Sequence, residues 1–249
     1  MADVRDQRVI GELRARIGAI EGGGRRRCGV LPFGIAVLDR GLPGGGLALG
    51  ALHEVNGEGP DLAHAAAPAL FVAGVLARLE GPVLWCLRRG DLFAPALAEV
   101  GLRPDRVIYA ESGGDAAVLP VMEEGLRYPG LAAVVGEAAR LPLVAGKRLQ
   151  LAAESSGAMA LVIRRCRRRP EGIAEPTAAV TRWRVAVLPS APLAMPGLGR
   201  PRWRLELLRC RGGGEGAWIV EACDAAGRLA VAADVADRPA APAARRAGG

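Results

Sequence analysis

The sequence predicts an α/β protein: a mostly parallel sheet flanked by helices, with a C-terminal antiparallel hairpin extension and an N-terminal amphipathic helix. Three observations carry this. Between residues 51 and 163, short apolar runs alternate with helical patterns, the order expected of βαβ units. Runs such as LAAVV and AMALVI are continuously apolar, as in strands covered by helices on both faces. Beyond residue 180 the pattern becomes strictly alternating, in TRWRVAVL and RWRLELL, which marks antiparallel strands.

In chain order, Ile10, Leu13, Ile17 and Ile20 recur at helical spacing and predict an amphipathic helix over residues 4–20. Gly22–Gly24 end it and Arg25–Arg27 follow; its apolar stripe must dock on its own domain or on a neighbour. LPFGIAVLDRGLPGGGLALG reads as a small helix and a glycine-rich turn feeding a strand, Ala51 to Asn56. The expected order is then helix 62–79, strand 82–87, helix 91–100, strand 106–110, helix 114–126, strand 131–135, helix 141–156 and strand 158–163. In residues 181–188, Trp183, Val185 and Val187 share one face and Arg182 and Arg184 the other; in residues 202–208, Trp203, Leu205 and Leu207 oppose Arg202, Arg204 and Glu206. Gly212–Gly214 turn into AWIVEACD, and the Ala-, Pro- and Arg-rich residues from 233 read as a disordered tail. The division expected is a helix and linker over 1–24, a core domain over 25–232 and a tail over 233–249.

Half of the 249 residues are apolar, enough for a packed core. The longest apolar stretch, Leu62 to Ala77, is broken by His64, Pro68 and Gly74 and falls short of the ~20 residues of a membrane span. With no secretory signal at the N-terminus, a soluble cytoplasmic protein is expected. Five scattered cysteines without a CxxC pair, and only two histidines, support neither a disulfide framework nor a metal site. Net charge is +7, yet only one of the 33 basic residues, Lys147, is a lysine. Such usage reflects a GC-rich genome and weakens any inference from arginine count to nucleic acid.

NGEGPDLAH, residues 56–64, lies between the first strand and helix, where a phosphate-binding GxxxxGK[ST] loop would sit. Counting from Gly57, the second glycine falls on Leu62, the lysine on Ala63 and the hydroxyl residue on His64; counting from Gly59 gives His64, Ala65 and Ala66. Neither register supplies a lysine for phosphates or a hydroxyl for Mg²⁺. Lys147 cannot substitute, because Leu141 stands where its first glycine would be. Asp61 adds a negative charge at the helix start, in competition with a phosphate.

LPFGIAVLDRGLPGGGLALGALHEVNGEG and WCLRRGDLFAPALAEVGLRPDRVIYAE resemble successive segments of RecA. Within that group LHEV with a degenerate loop, WCLRRGDL and VVGE resemble the ImuA family, over residues 31–231. The resemblance implies a RecA-like fold and loss of its chemistry: Ala63 at the P-loop lysine, Gly136 at the Walker B aspartate with Glu137 after it, and Arg89 at the water-activating glutamate. Glu137 remains a candidate acid at the carboxyl end of a strand, and the favoured reading is a solvated or ion-paired glutamate at a helix start. By the same resemblance the chain is a pseudo-ATPase without cofactor, an adaptor in SOS-induced error-prone translesion synthesis. Its implied partners are ImuB, a polymerase relative lacking catalytic residues, an α-type error-prone DNA polymerase, and RecA. A SulA-like division inhibitor and an active RecA-type ATPase are the competing readings.

RRCRRRP, residues 164–170, is the most basic segment, and Arg164, Arg165, Arg167, Arg168 and Arg169 are candidates for weak, salt-dependent contact with single-stranded DNA; the other reading is a solvated loop. Trp183 and Trp203 fall on apolar faces and are expected in the core rather than against bases. Ile10, Leu13, Ile17 and Ile20 are candidates for an interface with RecA, ImuB or a second copy.

Overall fold

The computed structural model describes residues 29–166, 175–190 and 199–232. The expected N-terminal helix, Arg167–Arg169 and the expected tail lie outside the described residues. The elements are β1 (Val30–Leu31), α1 (Ala36–Asp39), β2 (Leu47–Ala48), β3 (Leu52–Gly57), α2 (Asp61–His64), α3 (Ala66–Ala77), β4 (Val83–Leu87), α4 (Ala94–Glu99), β5 (Val107–Glu111), α5 (Asp115–Arg127), β6 (Ala133–Ala138), α6 (Leu143–Ser156), β7 (Met159–Arg164), β8 (Thr181–Leu188), β9 (Arg202–Cys210), β10 (Gly216–Glu221) and β11 (Ala230–Val231).

Among the described residues nine strands form one sheet in the order β11-β10-β9-β8-β3-β7-β6-β4-β5. From β5 to β8 neighbouring strands are parallel, and β8, β9, β10 and β11 are antiparallel. The fold is thus the expected α/β, RecA-like sheet with an antiparallel extension. The predicted helix 62–79 is divided at Ala65 into α2 and α3. The predicted helix 91–100 is shorter, beginning at Ala94 with Pro95 in its first turn, where a missing N–H costs nothing.

Two cores lie on the two faces of the sheet. Beneath α3 and α4, Phe33, Phe71, Trp85, Trp183 and Trp203 are buried with the apolar residues of the strands. Phe71 lies 6.0 Å from Phe33, 6.0 Å from Trp183 and 6.5 Å from Trp203, between ring centroids. Trp183 and Trp203 are core residues, as their alternation required, with no face left for a base. On the other face, Val118, Met122 and Leu126, four residues apart on α5, pack with Leu149 and Ala153 of α6. Gly136 of β6 allows the close approach of α5, since a Cβ there would lie 2.0 Å from Met122 Sδ.

β9 alternates in burial as predicted, but β8 does not: Arg182, expected on the outer face beside Arg184, is buried. Among the described residues no helix is long and apolar enough to cross a membrane.

Candidate functional site

The carboxyl ends of β3, β4, β6 and β7 lie side by side, where open α/β sheets form their sites. β7 ends there in consecutive arginines that face opposite ways. Arg164, the last residue of β7, donates to Glu54 Oε1 of β3 at 2.6 Å and to the carbonyl of Ala139. Arg182 of β8 donates from Nε to the other Glu54 oxygen at 2.8 Å and from Nη2 to the Glu175 carbonyl. One carboxylate is therefore clamped by guanidinium groups from both neighbouring strands, and all three residues are buried. This corrects the expectation for Arg164 as a DNA-facing arginine. Burial leaves it no phosphate to reach, and Glu54 occupies its charge.

Arg165 turns to the opposite face and meets three carboxylates. Its Nη2 is 2.7 Å from Asp91, its Nη1 3.1 Å from Glu137 and its Nε 3.3 Å from Asp61. Asp61 also staples α2 to the end of β7. Its N–H donates to the Cys166 carbonyl at 2.8 Å, and its Oδ1 accepts the Cys166 N–H at 2.8 Å. Glu137 is ion-paired but sits within β6 rather than at a helix start, almost fully buried, and accepts the Trp85 indole N–H at 2.9 Å. Burial raises its pKa, against the pull of Arg165 and the indole, while Asp91 and Asp61 add to the rise. Gly136 faces Met122 and α5, so the strand-end acid that faces this cleft is Glu137. Arg89 is exposed in the turn after β4.

The loop between β3 and α3 is closed on itself. The N–H groups of Ala63 and His64, the lysine and hydroxyl positions of the Gly57 register, both donate to the Pro60 carbonyl at 3.1 Å. The His64 imidazole folds back over Gly59, where a Cβ would lie 2.6 Å from its Cδ2, and the His64 carbonyl closes on Gly57. Leu62 projects fully into solvent. Glu58 is held by Arg204 of the extension at 2.6 Å. A phosphate loop turns its N–H groups inward to an anion; here those of Asp61, Ala63 and His64 are spent on the protein itself.

No protein-family model matches the chain. It is 43% identical over 219 residues to Protein ImuA of two Caulobacter vibrioides strains, NA1000 / CB15N and ATCC 19089 / CIP 103742 / CB 15, with 83% of this chain and 88% of the relative covered in each case. The chain belongs to the ImuA family.

In this ImuA-family chain the cleft ends in a cavity of about 320 Å³ between α2–α3 and α4, with Asp61, Asp91 and Arg165 at its base and Leu62 and Phe93 at its mouth. Among the described residues no group of three His, Cys, Asp or Glu side chains could hold a metal ion. The buried thiols of Cys86 and Cys223 are pushed up to about 12 by desolvation and offer no thiolate near neutral pH. Sequence reasoning passed over Glu54 and Arg182. The available signal was a lone carboxylate beside His53 in the largely apolar strand ALHEV, which had to find a cation once buried.

Proposed function

We propose that this chain is a non-catalytic RecA-like adaptor of SOS-induced error-prone translesion synthesis, a pseudo-ATPase. Membership in the ImuA family supports the place in damage-inducible mutagenesis. The observation that carries the non-catalytic reading is the state of the loop over residues 57–64. The backbone donors of Ala63 and His64 are taken by Pro60, and the His64 ring fills the hollow above Gly59. Without a lysine or a hydroxyl, and with the Asp61, Ala63 and His64 amides taken, little remains to stabilise a transferring phosphoryl group.

In this reading the chain acts with an ImuB-type polymerase relative and an α-type error-prone polymerase and meets RecA, with Ile10, Leu13, Ile17 and Ile20 as the partner stripe. Weak single-strand contact is carried by Arg167, Arg168 and Arg169, since Arg164 and Arg165 are engaged by carboxylates. Replacing those three by Gln should reduce the slope of log K against log salt by about 2, at ~0.7 per phosphate contact; an unchanged slope removes the DNA contact.

The deciding experiment is a pull-down with the tagged chain from DNA-damaged cells of its source, paired with titration of the purified chain with ATP and Mg²⁺. Recovery of the ImuB-type protein, the α-type polymerase or RecA without ATP turnover supports the adaptor. Recovery of a division protein alone, or turnover of ATP, overturns it.

A further inference from the structure

The cleft beside Arg165 combines features that the closed loop does not explain. Leu62 and Phe93 are large apolar side chains standing in solvent at its mouth, with relative exposures of 102% and 69%. Its wall is a row of small residues on α3 and the turn before it, Ala65, Ala66 and Ala69. Two carboxylates that line it, Asp61 and Asp91, flank one guanidinium that Glu137 also meets from within β6, and Asp91 is half exposed. The larger groove between α5 and α6, about 740 Å³, has the opposite balance: its carboxylate, Glu123, is held by both Arg127 and Arg148. The complementary occupant is therefore a segment with an apolar stripe and positive charge.

Such a segment is present in the chain. Residues 1–28 carry seven arginines against four acidic residues, and the stripe Ile10, Leu13, Ile17 and Ile20 is interleaved with Arg14 and Arg16. Its attachment point leads into the same face of the sheet as the cleft. Gly29 is fixed by the Leu49 N–H, and four residues later the Phe33 ring packs 6.0 Å from Phe71. Phe71 follows Leu70, which lines the cavity. Residues 21–28 can span up to about 26 Å at ~3.3 Å each.

We propose that residues 4–20 seat in this cleft within the same molecule, the apolar stripe against the α3 alanines between Leu62 and Phe93 and the arginines toward Asp61 and Asp91. The seat is a self-contact that a partner taking the same stripe must displace, so the chain presents the stripe only when a partner competes for it. Competition by a partner rests on the adaptor reading, whereas the seat itself does not and is tested on the isolated chain.

The test is amide hydrogen exchange on the purified full chain and on the full chain carrying Leu13→Asp and Ile17→Asp. Residues 61–70 and 91–97 should exchange at least tenfold faster in the variant, while β6 and β7 keep equal protection in both. The difference should hold across a hundredfold range of protein concentration. Phe93→Asp, on the cleft side of the contact, should raise exchange in residues 4–20; this second variant serves if the first fails to fold. Equal exchange in both chains overturns the proposal in favour of a partner protein as occupant. Protection that appears only at high concentration overturns it in favour of a second copy.

Discussion

Arg164 and Arg165 are neighbours in the chain and opposites in their surroundings. Arg164 shares one carboxylate with Arg182 under full burial; Arg165 holds three carboxylates at the edge of a cleft, with Asp91 half open to water. Side chains alternate across a strand, and one residue of offset decides which face an arginine enters. The first cluster joins three adjacent strands, β7, β3 and β8, at the point where the parallel sheet receives its antiparallel extension. The second joins the starts and ends of segments at a solvent cleft. Equal chemistry thus serves cohesion on one face and an accessible charged surface on the other. What separates them is water, since charges taken wholly from solvent must be matched or they destabilise strongly.

The widest test of that contrast is Glu54→Gln, which leaves two buried guanidinium groups with a neutral partner. Its expected cost is about 3–5 kcal/mol in urea unfolding, the range for breaking a buried ion pair. Replacing Glu54, Arg164 and Arg182 together by Leu, Met and Met should recover most of that loss. A cost below about 1 kcal/mol for Glu54→Gln would show that water reaches the cluster, and the contrast would collapse.

His53, on the opposite face of β3 from Glu54, supplies the uncharged counterpart. Its Nε2–H donates to the Ala48 carbonyl at 2.8 Å, and Nδ1 accepts from the Thr181 hydroxyl at 2.7 Å, so the ring is satisfied only while neutral. Full burial lowers its pKa from 6.5 to about 4. Below pH 6.5 the unfolded chain takes up a proton that the folded chain refuses. Stability should therefore fall as pH drops toward 4, by about 3 kcal/mol in all, at ~1.4 kcal/mol per pH unit. Urea unfolding between about pH 6.5 and 4.5 should show this slope, and His53→Gln should flatten it.

Arg165→Met sharpens the other side of the comparison. It leaves Asp61, Asp91 and Glu137 facing one another without a cation, at an expected cost of about 1–3 kcal/mol near pH 7, less than that of Glu54→Gln because the cleft is wet. Burial already raises the Glu137 pKa, so the part of the loss that comes through Glu137 should shrink as pH falls. The smallest effect belongs to Glu137→Gln. The amide oxygen keeps the Trp85 hydrogen bond while its NH2 turns a donor toward Arg165, which retains two carboxylates, so unfolding stability should fall by about 1 kcal/mol. A larger loss would mean that the Glu137–Arg165 pair holds the cleft together.

Periodicity alone made the α/β class, the strand order along the chain and the fate of Trp183 and Trp203 readable. Each is set by local alternation or by runs that bury both faces. The closed loop was half readable: lacking a lysine and a hydroxyl is a fact of sequence, whereas the His64 ring over Gly59 is a fact of packing. The arginines were the hardest. RRCRRR reads as one basic segment, yet it enters the fold through a strand end that sends Arg164 inside and Arg165 into the cleft. Arg182 likewise reads as an outward arginine until β8 is laid beside β3 in register with Glu54.

That division has a physical cause. Hydrophobic patterning and missing residue types are properties of the chain taken a few residues at a time, and they suffice for the fold class and for the absence of a lysine and a hydroxyl in residues 57–64. Charge pairing is a property of distance. The partners of Glu54 lie 110 and 128 residues away, and those of Arg165 between 28 and 104 away. Which arginines end up buried against carboxylates therefore depends on the assembled sheet, whose register alone brings such distant residues within reach.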